Sequence, residues 1–316
     1  MTIPRTAVLA ACALTMAVLA PAFAHAQLFT LTKDEMVSLT QQNPFDRFPD
    51  GRPKVPDSIL DRAREMSSEE AWAVLGNGGG PGRGYRNQYA GDFEVLHPGK
   101  TMVGRAFTVQ FMPARPDLDL FNNSQAQKNG LPARMNNQVA IDMLQPGDVL
   151  VVDLFGKVDG GTIVGDNLFY YIMKTTKSAG LVVDGAIRDL QGDSEMDMPA
   201  YFRKAHPSAI ADVTLTGINV PIRIGNVTVL PGDMVVGDRE GVYFVPPALA
   251  QAAVDNADTL HIHDEWTRMK FDEGKYKSSD IYGSPRDPAL RQEYQEYLKK
   301  RLDEIHAKRA QQNTGK

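Results

Sequence analysis

Residues 165–189, GDNLFYYIMKTTKSAGLVVDGAIRD, are the stretch that decides the fold. The first half has apolar residues at helical spacing, and Asp166 or Asn167 lies where a helix N-cap is expected. Gly180 lies where a helix commonly ends in a glycine. The apolar run at 181–183 indicates a buried strand, so the stretch predicts a helix followed directly by a strand.

The predicted strand stops at the turn residues Asp184-Gly185, and Arg188-Asp189 follow at its exit. This layout brings the helix N-terminus and the Arg-Asp pair to one edge of a sheet. The free N–H groups and positive dipole end of the helix, together with the arginine, can hold a small carboxylate. The aspartate can hold a divalent cation, so the combination suits a 2-oxo acid chelated to a metal. The alternative interpretation is an ion pair that holds a turn in place.

The composition is that of a globular protein. The chain has 316 residues, of which 42% are hydrophobic and 23% charged, and it is long enough for one large domain or two modest ones. The formal net charge is −5, which argues against a nucleic acid or an anionic membrane surface as the partner. A sizeable core can therefore be buried.

Residues 1–26 have the pattern of a secretory signal peptide. Arg5 supplies the positive charge, residues 7–20 form an apolar run, and residues 24–26, AHA, fit a small-x-small cleavage site. The apolar run is too short for a permanent membrane span. Cys12 is the only cysteine, so cleavage leaves no thiol for catalysis, disulfides or zinc binding. We expect an exported, periplasmic protein; a buried N-terminal helix and lipidation at the cysteine are the alternatives.

Pro-Gly turns launch apolar strands at three points, beginning at Pro98, Pro146 and Pro231. The strand after the second turn is apolar without interruption up to Asp153, as expected for burial on both faces. Further short strands are predicted at 220–222, 227–229 and 241–245, and short helices at 57–66, 67–76 and 136–144. Together these elements predict an α/β domain over residues 57–250.

Other segments flank or interrupt this domain. Residues 27–56 contain several prolines and predict an extended lead-in on the surface. Residues 251–316 predict a helical extension, in which a helix that starts at 284–285 carries an apolar stripe typical of a packed terminal helix. The glycine-rich loop at 78–84 lacks the Gly-Lys-Ser/Thr ending of a phosphate-binding loop, so we interpret it as a flexible connection.

A second possible metal site follows a helix predicted over 248–261. His261, His263 and the carboxylates Asp264 and Glu265 are residue types that could bind zinc or iron. On a helix, however, residues two apart point about 160° away from each other. The sequence therefore favours a polar surface segment here.

Several motifs come in the order of a known family. They are PGDVLVVD at 146–153, GDNL at 165–168, AGLVVDGAIRD at 179–189, NVPI at 219–222, VTVLPGD at 227–233 and DREGV at 238–242. The chain resembles, over roughly residues 67–250, the RraA-like family, which includes 4-hydroxy-4-methyl-2-oxoglutarate aldolases with oxaloacetate decarboxylase activity. The resemblance implies an α/β fold, an α-β-β-α sandwich of the swivelling β/α type. It also implies a homotrimer or homohexamer with the active site between subunits.

The resemblance also implies a role for each motif residue. Asp189 would ligate Mg²⁺ or Mn²⁺, and Arg188 would lie beside the substrate oxygens and stabilise an enolate. The turn Gly165-Asp166-Asn167-Leu168 would offer backbone N–H groups to a pyruvate carboxylate. Asp166 would also orient a water for proton transfer. A carboxylate from the adjacent subunit would approach the metal, and Glu265 is the first candidate for it.

The implied function is a class II, metal-dependent lyase that cleaves a carbon–carbon bond of a 2-oxo acid. Retro-aldol cleavage or decarboxylation would leave an enolate that the metal and Arg188 stabilise, and a proton would then be delivered. The alternative is a non-catalytic RraA-like binding or regulatory protein that keeps the fold. Some family members inhibit ribonuclease E, a cytoplasmic partner that an exported chain does not meet. A methyltransferase is disfavoured, because no glycine-rich cofactor turn follows a first strand.

Overall fold

The computed structural model describes residues 30–76, 84–128 and 137–314. Three features expected from the sequence lie outside the described residues: the signal peptide, Cys12 and nearly all of the glycine-rich loop. The predicted α/β class is confirmed, with a curled sheet at the centre and a helical region at the C-terminal end. No helix formed by the described residues is long and apolar enough to cross a membrane.

The described residues begin and end with helices, and strands and helices alternate only in the middle of the chain. The strands are β1 (Tyr89–Ala90), β2 (Glu94–Leu96), β3 (Met102–Pro113), β4 (Asp148–Asp153), β5 (Leu181–Ile187), β6 (Ala200–Ala205), β7 (Val213–Ile218), β8 (Ile222–Ile224), β9 (Val227–Val229), β10 (Met234–Gly237) and β11 (Val242–Val245). The helices are α1 (Lys33–Leu39), α2 (Asp57–Ala63), α3 (Ser68–Gly76), α4 (Pro116–Lys128), α5 (Asn137–Ile141), α6 (Asp166–Thr176), α7 (Leu190–Asp193), α8 (Pro247–Asp272), α9 (Ser278–Ile281) and α10 (Pro288–Thr314).

The long strand β3 organises the sheet. It pairs in parallel with β4 on one side, and on the other side it pairs antiparallel with β10 near its start and with β7 near its end. The parallel order continues from β4 to β5 and β6, and antiparallel strands close both ends. The pairing with β7 is irregular between Gln110 and Phe111, and an irregularity of this kind bends a sheet. β8 and β9 form a separate hairpin.

Burial on both faces explains the uninterrupted apolar run of β4. Leu150 and Val152 pack into a cluster with α5 and α6, whereas Val149 and Val151 pack into a cluster with the β8–β9 hairpin. All six residues of the strand are buried, which confirms the prediction. A third cluster joins α2, α3 and α8 to β10 and β11.

The prediction that the strand of the deciding stretch stops at Asp184-Gly185 is wrong. β5 continues to Ile187, and all seven of its residues are buried. A Cβ at Gly185 would lie 2.9 Å from Leu154 Cβ, so the glycine permits a close approach between segments rather than a turn. The charge of Asp184 is tolerated inside the strand because Arg203 Nε donates to its Oδ1 at 2.6 Å.

The end of α6 also differs from the prediction that Gly180 closes it. The C-cap is Lys177, which adopts a left-handed conformation with φ 58°, and its N–H donates to Met173 O. Gly180 lies directly before β5, where a Cβ would come within 2.5 Å of Met102 Cγ. This glycine therefore leaves room for the Met102 side chain of β3 beside the start of β5.

The predicted extended lead-in is partly wrong, because it contains a helix and reaches the core. α1 opens with a capping box between Thr32 and Glu35. Further along, Arg52 is fully buried and forms two hydrogen bonds with Asp148, of 2.7 and 3.1 Å. Its guanidinium also lies 4.4 Å from the centre of the Phe48 ring. The lead-in thus supplies the cation that neutralises a buried carboxylate at the start of β4.

The helical extension folds back onto its own domain. α8 continues to Asp272, past the predicted end at His261, and packs against α2 and α3. α10 begins at Pro288 and lies against α8, with the Tyr294 ring 5.2 Å from that of Trp266. The interpretation of the last helix as a packed terminal helix is confirmed.

Replacement of the buried arginine tests how far the fold depends on the lead-in. Arg52→Met leaves Asp148 buried without its cation, and breaking a buried pair in this way costs on the order of 3–5 kcal/mol. We expect a correspondingly large fall in the urea midpoint of unfolding. The double variant Arg52→Met/Asp148→Asn, which also removes the buried charge, should recover part of the loss.

The control for this prediction is Arg64→Met. Arg64 is half-exposed, and its Nε lies 3.8 Å from Asp61 Oδ1. Its loss should therefore change the free energy of unfolding by no more than about 0.5 kcal/mol. Equal midpoints for the Arg52 and Arg64 variants would show that the buried pair does not support the fold.

Candidate active site

Backbone pairing at the end of β5 brings the start of α6 next to the Arg-Asp pair. The segment before α6 forms a bridge between Thr162 and Ala186, and Ile163 N donates to Ala186 O at 3.0 Å. One step further, Arg188 N donates to Val164 O at 3.2 Å. α6 therefore starts beside the residue at which β5 ends, as the layout of the sequence suggests.

Gly165 is the N-cap of α6 and touches both members of the pair. A Cβ at this position would lie 2.9 Å from Arg188 Nε and would overlap Asp189 Oδ2. The φ of −118° is open to any residue, so space rather than backbone conformation requires glycine here. Its missing side chain lets Arg188 and Asp189 lie directly against the helix N-terminus.

Asp189 adopts an uncommon backbone conformation at the centre of this site. Its φ of 63° and ψ of 34° are left-handed, and it is the N-cap of the short helix α7. Aspartate tolerates this conformation better than most residues do, and such local strain is frequent at functional sites. Arg188 Nε lies 3.5 Å from Asp189 Oδ2, and the two side chains are 40% and 47% exposed. The pair is therefore open to a ligand.

The first turn of α6 offers fewer free N–H groups than the sequence predicts. The N-cap is Gly165 rather than Asp166 or Asn167, so Asp166 is the first helical residue, and its Oδ1 accepts a hydrogen bond from Asn167 N at 2.7 Å. The N–H groups of Asp166 and Leu168 have no acceptor within the described parts of the chain. Those two groups and the helix dipole remain available to a carboxylate.

A third carboxylate, missed by the sequence analysis, lies in the same place. Asp193 of α7 is fully buried, and neither of its oxygens has a hydrogen-bond partner among the described residues. The pKa of Asp193 is raised to about 7, mainly by burial and to a smaller extent by the negative charges of Asp189 and Asp166. Its position four residues after Asp189, one helical turn away, is the feature of the sequence that could have revealed it.

Glu265 makes its contacts elsewhere. It lies on α8, where Tyr297 Oη donates to it at 2.8 Å and Arg301 Nη2 at 3.1 Å. These two hydrogen bonds hold the pKa of Glu265 below its usual range, and the bond from Tyr297 has the larger effect. The neighbouring histidines reach different segments: His261 pairs with Glu70 and His263 contacts a backbone carbonyl. A role for Glu265 at Arg188 and Asp189 stays a prediction that involves a second copy of the chain.

The donor atoms at this edge suit a hard divalent cation. Asp189, Asp166 and Asp193 supply only carboxylate oxygens, the ligand type that Mg²⁺ and Mn²⁺ prefer. Among the described residues, however, no three histidine, cysteine, aspartate or glutamate side chains are grouped closely enough to hold a metal ion by themselves. The arrangement therefore fits an ion that one carboxylate binds and that keeps water or a substrate as its other ligands.

The fold and this site together define an α/β protein that presents a helix N-terminus and an Arg-Asp pair at the carboxyl end of a parallel strand. The chain belongs to the RraA-like family, because the family model described as Aldolase/RraA matches residues 80–244, just over half of its length. The match contains both the helix N-terminus at Gly165 and the Arg188-Asp189 pair.

Relatives of this chain are known from sequence and from structure. A protein of Halalkalibacterium halodurans named "Putative 4-hydroxy-4-methyl-2-oxoglutarate aldolase" is 35% identical over 38% of this chain and 56% of its own length. A protein of the same name from Ectopseudomonas mendocina is 33% identical over 35% of this chain and 67% of its own. The chain thus spans only about half of the first relative's length.

A solved structure extends the likeness. RraAS2 of Streptomyces coelicolor, described as an unusual member of the RNase ES inhibitor RraA protein family, is 31% identical with a TM-score of 0.57. The alignment covers 69% of this chain and all of that one. Its described role and those of the aldolases differ, so membership of the family alone does not decide between catalysis and regulation.

The raised pKa of Asp193 predicts a pH-dependent loss of stability in EDTA. Because the carboxyl group binds its proton more tightly in the folded state, the ionised form is penalised, and stability falls as pH rises from about 4 to about 7. A rise of the pKa from 3.8 to about 7 corresponds to a penalty on the order of 4 kcal/mol. Asp193→Asn should lose this part of the pH dependence.

This effect is measured from the urea midpoints of unfolding of the wild type and Asp193→Asn between pH 4.5 and 8. The salt concentration is kept at roughly 0.15 M to screen the surface charges. Burial also raises the pKa of Asp233 to about 7, but the two proteins share that carboxyl group and it cancels in their difference. Parallel curves for the wild type and Asp193→Asn would contradict the prediction.

Proposed function

We propose that this protein is a divalent-metal-dependent lyase that cleaves a carbon–carbon bond of a 2-oxo acid, by retro-aldol cleavage or decarboxylation, and releases pyruvate or a related 2-oxo acid. The observation that carries the proposal is the contact of Gly165 with both Arg188 and Asp189. A helix N-terminus, a guanidinium group and a carboxylate meet there at one point. The aldolase names of two relatives support the same chemistry.

The substrate carboxylate is bound by the start of α6 and by Arg188. The N–H groups of Asp166 and Leu168 and the positive end of the helix dipole attract an anion. The planar guanidinium of Arg188 can donate two parallel hydrogen bonds to a carboxylate. Because Gly165 adds no side chain, the 2-oxo group next to that carboxylate can come close to Asp189.

Bond cleavage leaves an electron pair on the carbon next to the 2-oxo group. Asp189 would hold the Mg²⁺ or Mn²⁺ ion, and such an ion would withdraw electrons from that group. Arg188 donates to the oxygen on which negative charge develops. In the retro-aldol reaction the hydroxyl proton passes to a water that Asp166 orients as the second carbonyl product leaves; in decarboxylation carbon dioxide leaves instead. The enolate carbon then takes up a proton from that water in either case.

We also propose that Glu265 of an adjacent copy completes the site in a homotrimer or homohexamer. The support is its exposure: Glu265 keeps 47% of its side chain exposed despite its contacts with Tyr297 and Arg301. Those contacts hold the carboxylate ionised and fixed in direction, which suits a group that accepts hydrogen bonds near a cation.

The second candidate is a non-catalytic binding or regulatory protein with the same fold. The observation in its favour is the likeness to the Streptomyces coelicolor protein, which aligns over its whole length. The export expected from residues 1–26 argues against a cytoplasmic ribonuclease as the partner. The two candidates differ in whether any turnover exists that the Arg-Asp pair could support.

Loss of the Arg-Asp pair should abolish turnover and leave the fold intact. Pyruvate release from 4-hydroxy-4-methyl-2-oxoglutarate and from oxaloacetate is followed with Mg²⁺, Mn²⁺ or EDTA, after subtraction of the rate without enzyme. We expect release to need a metal, and we expect Arg188→Ala and Asp189→Asn to lower kcat/KM at least about 100-fold, as loss of one transition-state donor does elsewhere.

The matched control is Arg115→Ala. Arg115 and Asp117 form an exposed pair, with 2.8 Å between Nε and Oδ1, outside the site. Its loss should leave kcat/KM unchanged. A folded wild-type protein that releases no pyruvate with either metal would contradict this substrate class and favour the binding protein.

The contact that carries the proposal can be tested on its own. Gly165→Ala places a methyl group against Arg188 and Asp189 and displaces them, so kcat/KM should fall by about tenfold or more. The unfolding temperature should change little, because φ at this position suits alanine. In the control Gly99→Ala the added methyl group meets no atom within 4 Å. Equal activity of the two variants would show that the contact is not needed.

A further inference from the structure

Asp193 is unusual among the buried carboxylates of this protein. Asp148 and Asp184 pair with arginines, and Asp233 accepts a hydrogen bond from a backbone N–H at 2.9 Å. Asp193 is equally buried, yet both of its oxygens lack a partner among the described residues. Buried polar groups nearly always have a hydrogen-bond partner or an ion, so this carboxylate requires one from outside the chain.

The described surroundings of Asp193 offer its oxygens no partner. Its two charged neighbours, Asp189 and Asp166, are both acceptors and both negative. The α6 and α7 backbones approach closely there, since a Cβ at Gly192 would lie 3.2 Å from Asp166 Cβ. The arginine of the site, Arg188, is directed at Asp189. Among the described residues, these three carboxylates share one edge with the cationic side chain of Arg188, which favours an external cation.

We infer that Asp193 holds the hydration shell of a divalent cation bound at Asp189, and so is a positioning residue for that ion. No three carboxylates among the described residues converge as direct ligands of one ion, so Asp193 is assigned to the water around the ion rather than to the ion itself. Mg²⁺ and Mn²⁺ sites commonly keep several waters, and the carboxylates that accept from those waters orient the ion. The inference rests on the cation site at Asp189 in the proposed function.

The test measures Mn²⁺ affinity without any substrate. Isothermal titration calorimetry of the whole protein with Mn²⁺ compares the wild type with Asp193→Asn, which keeps the size of the side chain and removes its charge. We expect the dissociation constant to rise about 10- to 100-fold, the usual effect of losing a partner in the outer shell of a metal. Glu195→Gln, an exposed carboxylate in the same segment, should bind Mn²⁺ as the wild type does.

Asp189→Asn separates this inference from the proposed function. Loss of Mn²⁺ binding in Asp189→Asn together with wild-type affinity in Asp193→Asn would overturn only the role of Asp193. Wild-type affinity in Asp189→Asn would overturn the cation site itself, whatever Asp193 does. Equal weakening by Glu195→Gln would show a general effect of charge and would also overturn the inference.

Thermal unfolding supplies a second readout. In EDTA at pH 8, Asp193→Asn should unfold at a temperature no lower than the wild type, because the carboxylate contributes no hydrogen bond to the fold. Added Mn²⁺ should then raise the unfolding temperature of the wild type more than that of the variant. An Asp193→Asn protein that is unfolded or less stable in EDTA would show a structural role and would contradict the inference.

Discussion

The candidate site depends on the backbone pairing between the segment before α6 and the end of β5. Hydrogen bonds from Ile163 N to Ala186 O and from Arg188 N to Val164 O fix the start of the helix beside the exit of the strand. Since backbone groups make these bonds, the side chains of Arg188 and Asp189 stay free for a ligand. Gly165 completes the arrangement because only a residue without a Cβ leaves room for both. The candidate site is thus built by main-chain geometry, which leaves its side chains available to a ligand.

The features that could be predicted from the sequence depend on local patterns. The double-sided burial of β4 follows from its apolar run, and the order of helix, strand and Arg-Asp pair follows from residues 165–189. The predictions that were wrong depend on contacts with residues far along the chain. The sequence around Gly185 is typical of a turn, but the structure packs Leu154 against this glycine. Arg52 lies in a segment predicted on the surface, but the structure pairs it with Asp148. Neither contact can be recognised from the residues that are close to it in sequence.

Two buried aspartates differ in whether the fold supplies a positively charged partner for them. Asp148 is matched by Arg52, and the pair joins the lead-in to the sheet. Asp193 has no such match and lies beside Asp189, itself in a left-handed conformation. Folded proteins satisfy buried polar groups almost everywhere, and the exceptions gather where a ligand or a reaction supplies the missing partner. The unmatched carboxylate and the strained backbone occur together at the Arg-Asp pair, which is independent physical support for a site there.

The C-terminal extension is attached to the part of the sheet that does not carry the site. α8 packs with α2 and α3 against β10 and β11, and Arg309 of α10 pairs with Asp258 of α8. β10 is separated from β5 by β3 and β4 in the order of the sheet. An extension at that end leaves the pairing that builds the site unchanged, so a chain without the extension can form the same site. What the extension does alter is Glu265, which α10 holds by Tyr297 and Arg301. In the proposed assembly, a contribution of Glu265 to a neighbouring copy would depend on the docking of α10, and this would couple the extension to the site through assembly rather than through the fold of one chain.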